Sequence, residues 1–425
     1  MCTKNKSKQP GILKQLKQCF EEILPTKKDG RTKIPAFEFM VSLIFSFLGD
    51  TKSSSLESMR RALIQQTKCI IVRSSFWERL ASNQTKKLLR SLLENIMLKF
   101  VCQKCLISDQ ILATLKVKGI ILVDACCFSL WDGAKDSFPG TRTTAGIKWH
   151  LGFDPLTGLV KWFDITPTST HDRKCFPDLS TLVGQLIIMD LGYWDYGLLL
   201  AIQDAQAFFL CRIKSTATLT IKKVVSGLSK KHIGENLLSI PFKRKRDDIL
   251  EVIVHKNYKG IEFECRAFGF WHPEEKIYQW YISNLSTSIP ARLIYPLYRF
   301  RWQIELIFKA CKQSLNAARL SSNDSNIIES LVLASITAHM SSQTVFHIAL
   351  PRLTKDQRLA ISFQRIAKVT VHIANEFIQF MFNSSDKYLQ ALIDSIHLFM
   401  HEIYDPNYKK RVSSLERIDK LLNNI

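Results

Sequence analysis

Five side chains within residues 294–315 are of the types that handle metal ions and phosphate esters. The segment reads Ile-Tyr-Pro-Leu-Tyr-Arg-Phe-Arg-Trp-Gln-Ile-Glu-Leu-Ile-Phe-Lys-Ala-Cys-Lys-Gln-Ser-Leu. Beyond Pro296 its spacing predicts one helix, with Leu297, Phe300, Ile304, Ile307, Phe308, Cys311 and Leu315 on an apolar face. Tyr298, Arg301, Glu305, Lys309 and Lys312 fall on an adjacent strip, because steps of three, four and seven return to the same side. One acid among cations and a phenol, beside a buried stripe, is unusual for a solvated face. Read pair by pair, it is an amphipathic helix with ordinary Glu-to-Lys pairs.

Two further carboxylates end short apolar runs. Ile120-Ile121-Leu122-Val123-Asp124 and Leu186-Ile187-Ile188-Met189-Asp190 read as strands that terminate in aspartate. Three carboxylates brought together suit hard cations such as Mg²⁺, which take carboxylate, phosphate and water oxygens and need neither histidine nor cysteine. Two such ions, roughly 3.5–4 Å apart, hold both the attacking and the leaving oxygen of a phosphodiester.

The spacing Tyr298, two residues, Arg301, three, Glu305, six, Lys312 resembles the Tyr-Arg-Glu-Lys signature of bacterial insertion-sequence transposases with an Asp-Asp-Glu active site, in the branch named after insertion sequence four. Asp190-Leu191-Gly192-Tyr193-Trp194 is similar to the same family's Asp-x-Gly-Tyr-aromatic pattern. Around Asp124 the chain departs from it, with Ala125-Cys126-Cys127 where a small or hydroxyl residue and then Thr or Ser is usual. The resemblance implies that Asp124, Asp190 and Glu305 are the catalytic acids and hold two Mg²⁺ ions, for which Mn²⁺ can substitute. It implies that Tyr298, Arg301, Lys309 and Lys312 contact DNA, and that Trp280, eighteen residues before Tyr298, stacks on a base flipped from the transposon end.

The same resemblance implies an α/β, ribonuclease H-like core interrupted by a β-rich insertion, with helical regions before and after. Strands are expected at 119–125, 147–153, 159–165, 185–190 and 207–213, with helices at 174–182 and 196–203, and further strands at 251–255, 262–270 and 277–282. The expected division is 1–115 helical and binding the transposon end, 116–213 and 291–340 core, 214–290 insertion, and 341–425 helical with dimer contacts. Residues 1–115 thread Lys14, Lys17, Lys27, Lys28, Arg31, Lys33, Arg60 and Arg61 through helical spacing, and Lys243-Arg244-Lys245-Arg246 adds a basic run in the insertion.

Composition agrees with a polyanionic partner. The 425 residues carry 59 Lys+Arg against 38 Asp+Glu, a net charge of +21 with a pI near 9.5. A basic RNA-binding protein has the same charge. Residues 1–10 lack an apolar core, and eleven cysteines without a regular framework point to a reducing cytoplasm. Cys102 and Cys105 form a lone Cys-x-x-Cys with no second pair at zinc spacing. The expected partner is double-stranded DNA, as terminal inverted repeats and as target, bound by a homodimer at the bacterial nucleoid. The expected activity is cut-and-paste transposition. The alternatives are a ribonuclease H-like nuclease without strand transfer and a non-catalytic DNA-binding relic.

Overall fold

A computed structural model describes residues 9–27, 33–46, 55–100, 108–241, 249–315, 322–383, 385–410 and 412–423. Lys28, Arg31, the Cys102/Cys105 pair and the basic run at 243–246 lie outside the described residues. Six helices open the chain: α1 (Gln9–Ile23), α2 (Ala36–Ser46), α3 (Leu56–Thr67), α4 (Arg73–Ala81), α5 (Asn83–Lys99) and α6 (Ser108–Leu115). Their starts follow local chemistry, since Ser55 and Ser82 each accept a backbone N–H of the first turn of α3 and α5.

Five strands form the core sheet: β1 (Gly119–Ser129), β2 (Gly146–Asp154), β3 (Leu159–Pro167), β4 (Gln185–Met189) and β5 (Phe208–Arg212), with α7 (Tyr196–Asp204) joining the last two. β2 pairs antiparallel with both β1 and β3, whereas β4 runs parallel to both β1 and β5. The order β3-β2-β1-β4-β5 is that of a ribonuclease H-like core.

Residues 214–290 are β-rich, as expected, and their strands join the core sheet. β6 (Thr220–Ser226), β7 (Leu250–Tyr258), β8 (Ile261–His272) and β9 (Ile277–Ser283) continue the core sheet, because β9 pairs antiparallel with β5. The result is one nine-stranded sheet in the order β3-β2-β1-β4-β5-β9-β8-β7-β6. β6 escapes a sequence reading because Lys222 and Lys223 interrupt its apolar alternation.

Two expectations are corrected. Residues 174–182 form short 3₁₀ turns, Asp172–Cys175 and Leu179–Leu182, since Pro177 cannot continue a helix and Asp178 caps the second turn. The expected single helix of the signature runs without a gap but tightens midway: α8 (Ile294–Tyr298), a 3₁₀ turn Arg299–Arg301, then α9 (Trp302–Leu315). The tightened stretch lies inside the signature, directly after Tyr298 and ending on Arg301.

α10 (Ser325–Ala349) is the central support. It is buried from Ile327 to Ala349 on almost every side, as expected of a helix enclosed by other elements. Leu16, Phe39 and Leu92 of the N-terminal helices, Trp149 and Phe153 of the sheet, Ile304 of α9 and Leu331 of α10 share one apolar core. The N-terminal helices are therefore packed into the body that carries the signature. Further helices follow, down to Ser414–Leu422. No described helix is long and apolar enough to cross a membrane.

Candidate active site

The parallel ladder between β1 and β4 ends at Val123 opposite Met189. Asp124 and Asp190 are the next residues on the two strands, so the topology alone puts their carboxylates side by side. Asp124 is not the end of its strand, as the sequence suggested; β1 runs on to Ser129 against β2, and only its pairing with β4 stops there. Asp190 opens a 3₁₀ turn, Leu191–Tyr193, and its carbonyl accepts the Tyr193 N–H at 3.1 Å. Glu305 arrives from the first turn of α9, where the helix dipole favours an acid.

One guanidinium joins the three. Arg301 Nη1 lies 3.0 Å from Asp124 Oδ2, Nη2 lies 2.7 Å from Glu305 Oε1, and Nε lies 3.9 Å from Asp190 Oδ1. The Arg301 side chain is only 17% exposed, and Asp124 is similarly enclosed. Burial pushes the Asp124 carboxyl up to about 6, against the Ala125 N–H and Arg301, while Asp190 and Glu305 push the same way as burial. Burial works to lower the Arg301 pKa, but Asp190, Tyr298, Asp124 and Glu305 together raise it above its ordinary value.

The rest of the strip lies around this cluster. The Arg301 guanidinium sits 5.9 Å from the Tyr298 ring, which packs on Tyr281 at 4.7 Å. Burial raises the Tyr298 hydroxyl pKa, so it acts as a neutral hydrogen-bonding group. Lys312 lies over the Phe128 ring at 4.9 Å, and its charge works against the burial that raises the Cys126 thiol pKa, placing its ammonium beside β1 near Asp124. Lys309 is exposed on the same helix.

Trp280 does not join them. Its indole is 5% exposed and packs in the core beside Ile282 and Tyr278, close to Gly269. Without DNA the ring is covered by that apolar cluster and lies over Gly269 of β8, so it presents no open face for a base in this structure. The indole that α9 leaves open belongs to Trp302, 58% exposed, inside the signature but without a role in the spacing argument.

A support beneath Asp190 was also missed. Lys148, 8% exposed on β2, donates to Asp172 Oδ1 and to the Thr170 carbonyl, both at 2.7 Å. Asp172 in turn faces Gly192, where an added Cβ would lie 3.1 Å from Asp172 Oδ2. The buried lysine thus anchors the turn that backs the Leu191–Tyr193 segment. A lysine in the otherwise apolar run 147–153 was the available signal.

The donor set suits a hard divalent cation: three carboxylates, one of them deeply buried, drawn around one positive charge. Among the described residues no three His, Cys, Asp or Glu stand close enough to share a metal ion. The guanidinium, broader than a metal ion, lies between the carboxylates.

The family model described as transposase DDE domain matches residues 116–341, from just before β1 into α10. The y4zB protein of Sinorhizobium fredii, named as a transposase, is 27% identical over 194 residues, covering 46% of this chain and 52% of that one. The transposase for insertion sequence element IS231F of Bacillus thuringiensis is 22% identical over 317 residues, covering 64% and 66%. The chain thus spans about half to two thirds of the length of these curated relatives. A solved piggyBac transposase synaptic complex with hairpin DNA covers 92% of this chain and 83% of its own, at 11% identity and a TM-score of 0.43. The family match takes in both aspartate strands, the continued sheet and the signature helix over more than half of the residues, and the chain belongs to the transposase DDE domain family.

Proposed function

We propose that this chain cuts the ends of a DNA insertion sequence and joins the freed 3′ ends to target DNA, with Asp124, Asp190 and Glu305 as the ligands of two Mg²⁺ ions that Mn²⁺ can replace. The observation that carries the reading is the meeting of three acids from β1, the end of β4 and α9 within 4 Å of one guanidinium. When bound, two hard cations polarise the attacking oxygen and stabilise the leaving one. The chain's own residues do the rest. Asp124 and Asp190 fix the cation positions from a rigid sheet, and Glu305 closes them from the helix. Tyr298 offers a hydroxyl, Arg301 a planar fork, and Lys309 and Lys312 point charges to the phosphates on the 5′ side of the terminus.

The finer placement, in the branch named after insertion sequence four, rests on Tyr298, Arg301, Glu305 and Lys312 at the signature's spacing. A pair of ends held together calls for two copies of the chain, and the net charge of +21 suits two duplexes and a target. Such a protein works on DNA in the bacterial cytoplasm, at the nucleoid. The N-terminal helices, with Lys14, Lys33, Arg60 and Arg61, supply further phosphate contacts along the end.

A joining reaction tests this reading. Purified chain, a labelled fragment ending in the element's own terminus, a circular plasmid and Mg²⁺ are expected to yield plasmid covalently joined to the fragment's 3′ end. Cleaved fragment without any joined product makes the chain a nuclease, and bound but uncut fragment makes it a DNA-binding relic.

A further inference from the structure

Among the described residues, Arg301 is the one cation that lies within 4 Å of three carboxylates. A plain helix pair would link Arg301 to Glu305 alone, four residues on. Here the same guanidinium also reaches Asp124 on β1 and approaches Asp190 beyond β4. One positive charge facing three carboxylates leaves the cluster short of balance, and the Arg301 Nε is buried without a hydrogen-bond partner. The grip is therefore real but unsaturated. An arginine cannot vacate such a place by losing its proton; it must move. Its backbone provides for that, since Arg301 closes the 3₁₀ turn that separates α8 from α9, and mid-helix stretches of this kind often serve as hinges.

We propose that Arg301 is the resident cation of this site in the DNA-free protein, and that its guanidinium must withdraw before a divalent metal can enter. The proposal rests on the reading of Asp124, Asp190 and Glu305 as metal ligands, and adds a regulator to it. The idle protein is held with its acids partly neutralised from within and closed to metal. Loading then requires a competing anion for the guanidinium, and a DNA phosphate at the signature strip has the right chemistry. Metal entry and end binding become linked through a single side chain, so hydrolysis is suppressed where no DNA end is present.

The experiment titrates Mn²⁺ alone onto the full-length, DNA-free protein and reads free Mn²⁺ by its paramagnetic resonance signal. If Arg301 is seated in the site about nine tenths of the time, apparent affinity is lowered about tenfold. Arg301→Gln is accordingly expected to bind Mn²⁺ about tenfold more tightly than wild type. Arg301→Lys keeps the charge but loses the fork, is the milder change for folding, and is expected to bind severalfold more tightly. Equal Mn²⁺ affinity in wild type and both variants overturns the proposal. Adding Asp190→Asn to each background separates the two claims. Equal binding that Asp190→Asn abolishes removes the role given to Arg301 and leaves the acids as metal ligands. Binding that Asp190→Asn leaves unchanged in every background overturns the metal site, and the resident-cation proposal with it.

Discussion

Asp190→Asn is expected to reduce cleavage of the element's ends in Mg²⁺ on the order of 10³-fold or more, while leaving end binding near wild type. Loss of one preorganised electrostatic group from an active site commonly costs about 10²–10³-fold, and a ligand lost from a metal centre acts on both reacting oxygens. Binding should survive because the phosphate contacts assigned to Tyr298, Lys309 and Lys312 are untouched. The amide is nearly isosteric, and the Asp190 side chain is 44% exposed, so the fold has little to lose. A denaturing gel of a labelled end, with a binding assay on the same preparation, gives both readings. Near wild-type nicking by Asp190→Asn would remove this carboxylate from the chemistry.

The second large effect is on stability and lies away from the acids. Arg266 on β8 and Glu251 on β7 form an ion pair whose side chains are 5% and 8% exposed. The guanidinium donates twice to Glu251 Oε1, at 2.9 and 2.7 Å, and also to the carbonyls of Ser286 at 2.6 Å and Ile289 at 2.9 Å. Those carbonyls precede the Ala291–Leu293 turn that leads into α8, so Arg266 fixes the approach of the signature segment to the sheet. Arg266→Met strands a buried carboxylate and two carbonyls, and is expected to cost about 3–5 kcal/mol of unfolding free energy. Replacing both partners, Arg266→Met with Glu251→Leu, should recover a large part of the loss, because the uncompensated charge disappears. Urea unfolding of the two variants measures it. A single-variant loss below about 1 kcal/mol would show that the pair supports nothing.

The acids were legible because their neighbours are so apolar. Asp124 and Asp190 stand out at the ends of β-branched runs, and strand order puts those ends together. Glu305 was legible from its spacing to Tyr298, Arg301 and Lys312. Arg301, which joins the three acids, reads from the sequence as a phosphate contact and a charge near the acids, not as their common partner. Spacing along one helix shows that it can meet Glu305, not that it also reaches two strands distant in sequence. The burial of Trp280 was illegible for the opposite reason. An aromatic in a strand is open or closed according to what packs on its face of the sheet, and the apolar cluster that covers Trp280 is assembled from segments no local pattern brings together. Arg266 and Glu251 were invisible for the same cause, because each reads as an ordinary surface charge until pairing brings β7 and β8 together. The 3₁₀ stretch between α8 and α9 was illegible, since nothing in the local sequence Arg299-Phe300-Arg301 marks a tighter turn.

The central claim is that these carboxylates touch metal, and a change of ligand softness addresses it most directly. Asp190→Cys replaces a hard oxygen donor by a thiolate, which Mg²⁺ binds poorly and Mn²⁺ accepts more readily. Wild type is expected to cut ends with either ion. Asp190→Cys should be inactive in Mg²⁺ and recover part of its cleavage in Mn²⁺, raising the Mn²⁺-to-Mg²⁺ rate ratio by about tenfold or more over wild type. A ratio for Asp190→Cys equal to that of wild type would contradict metal contact at this position.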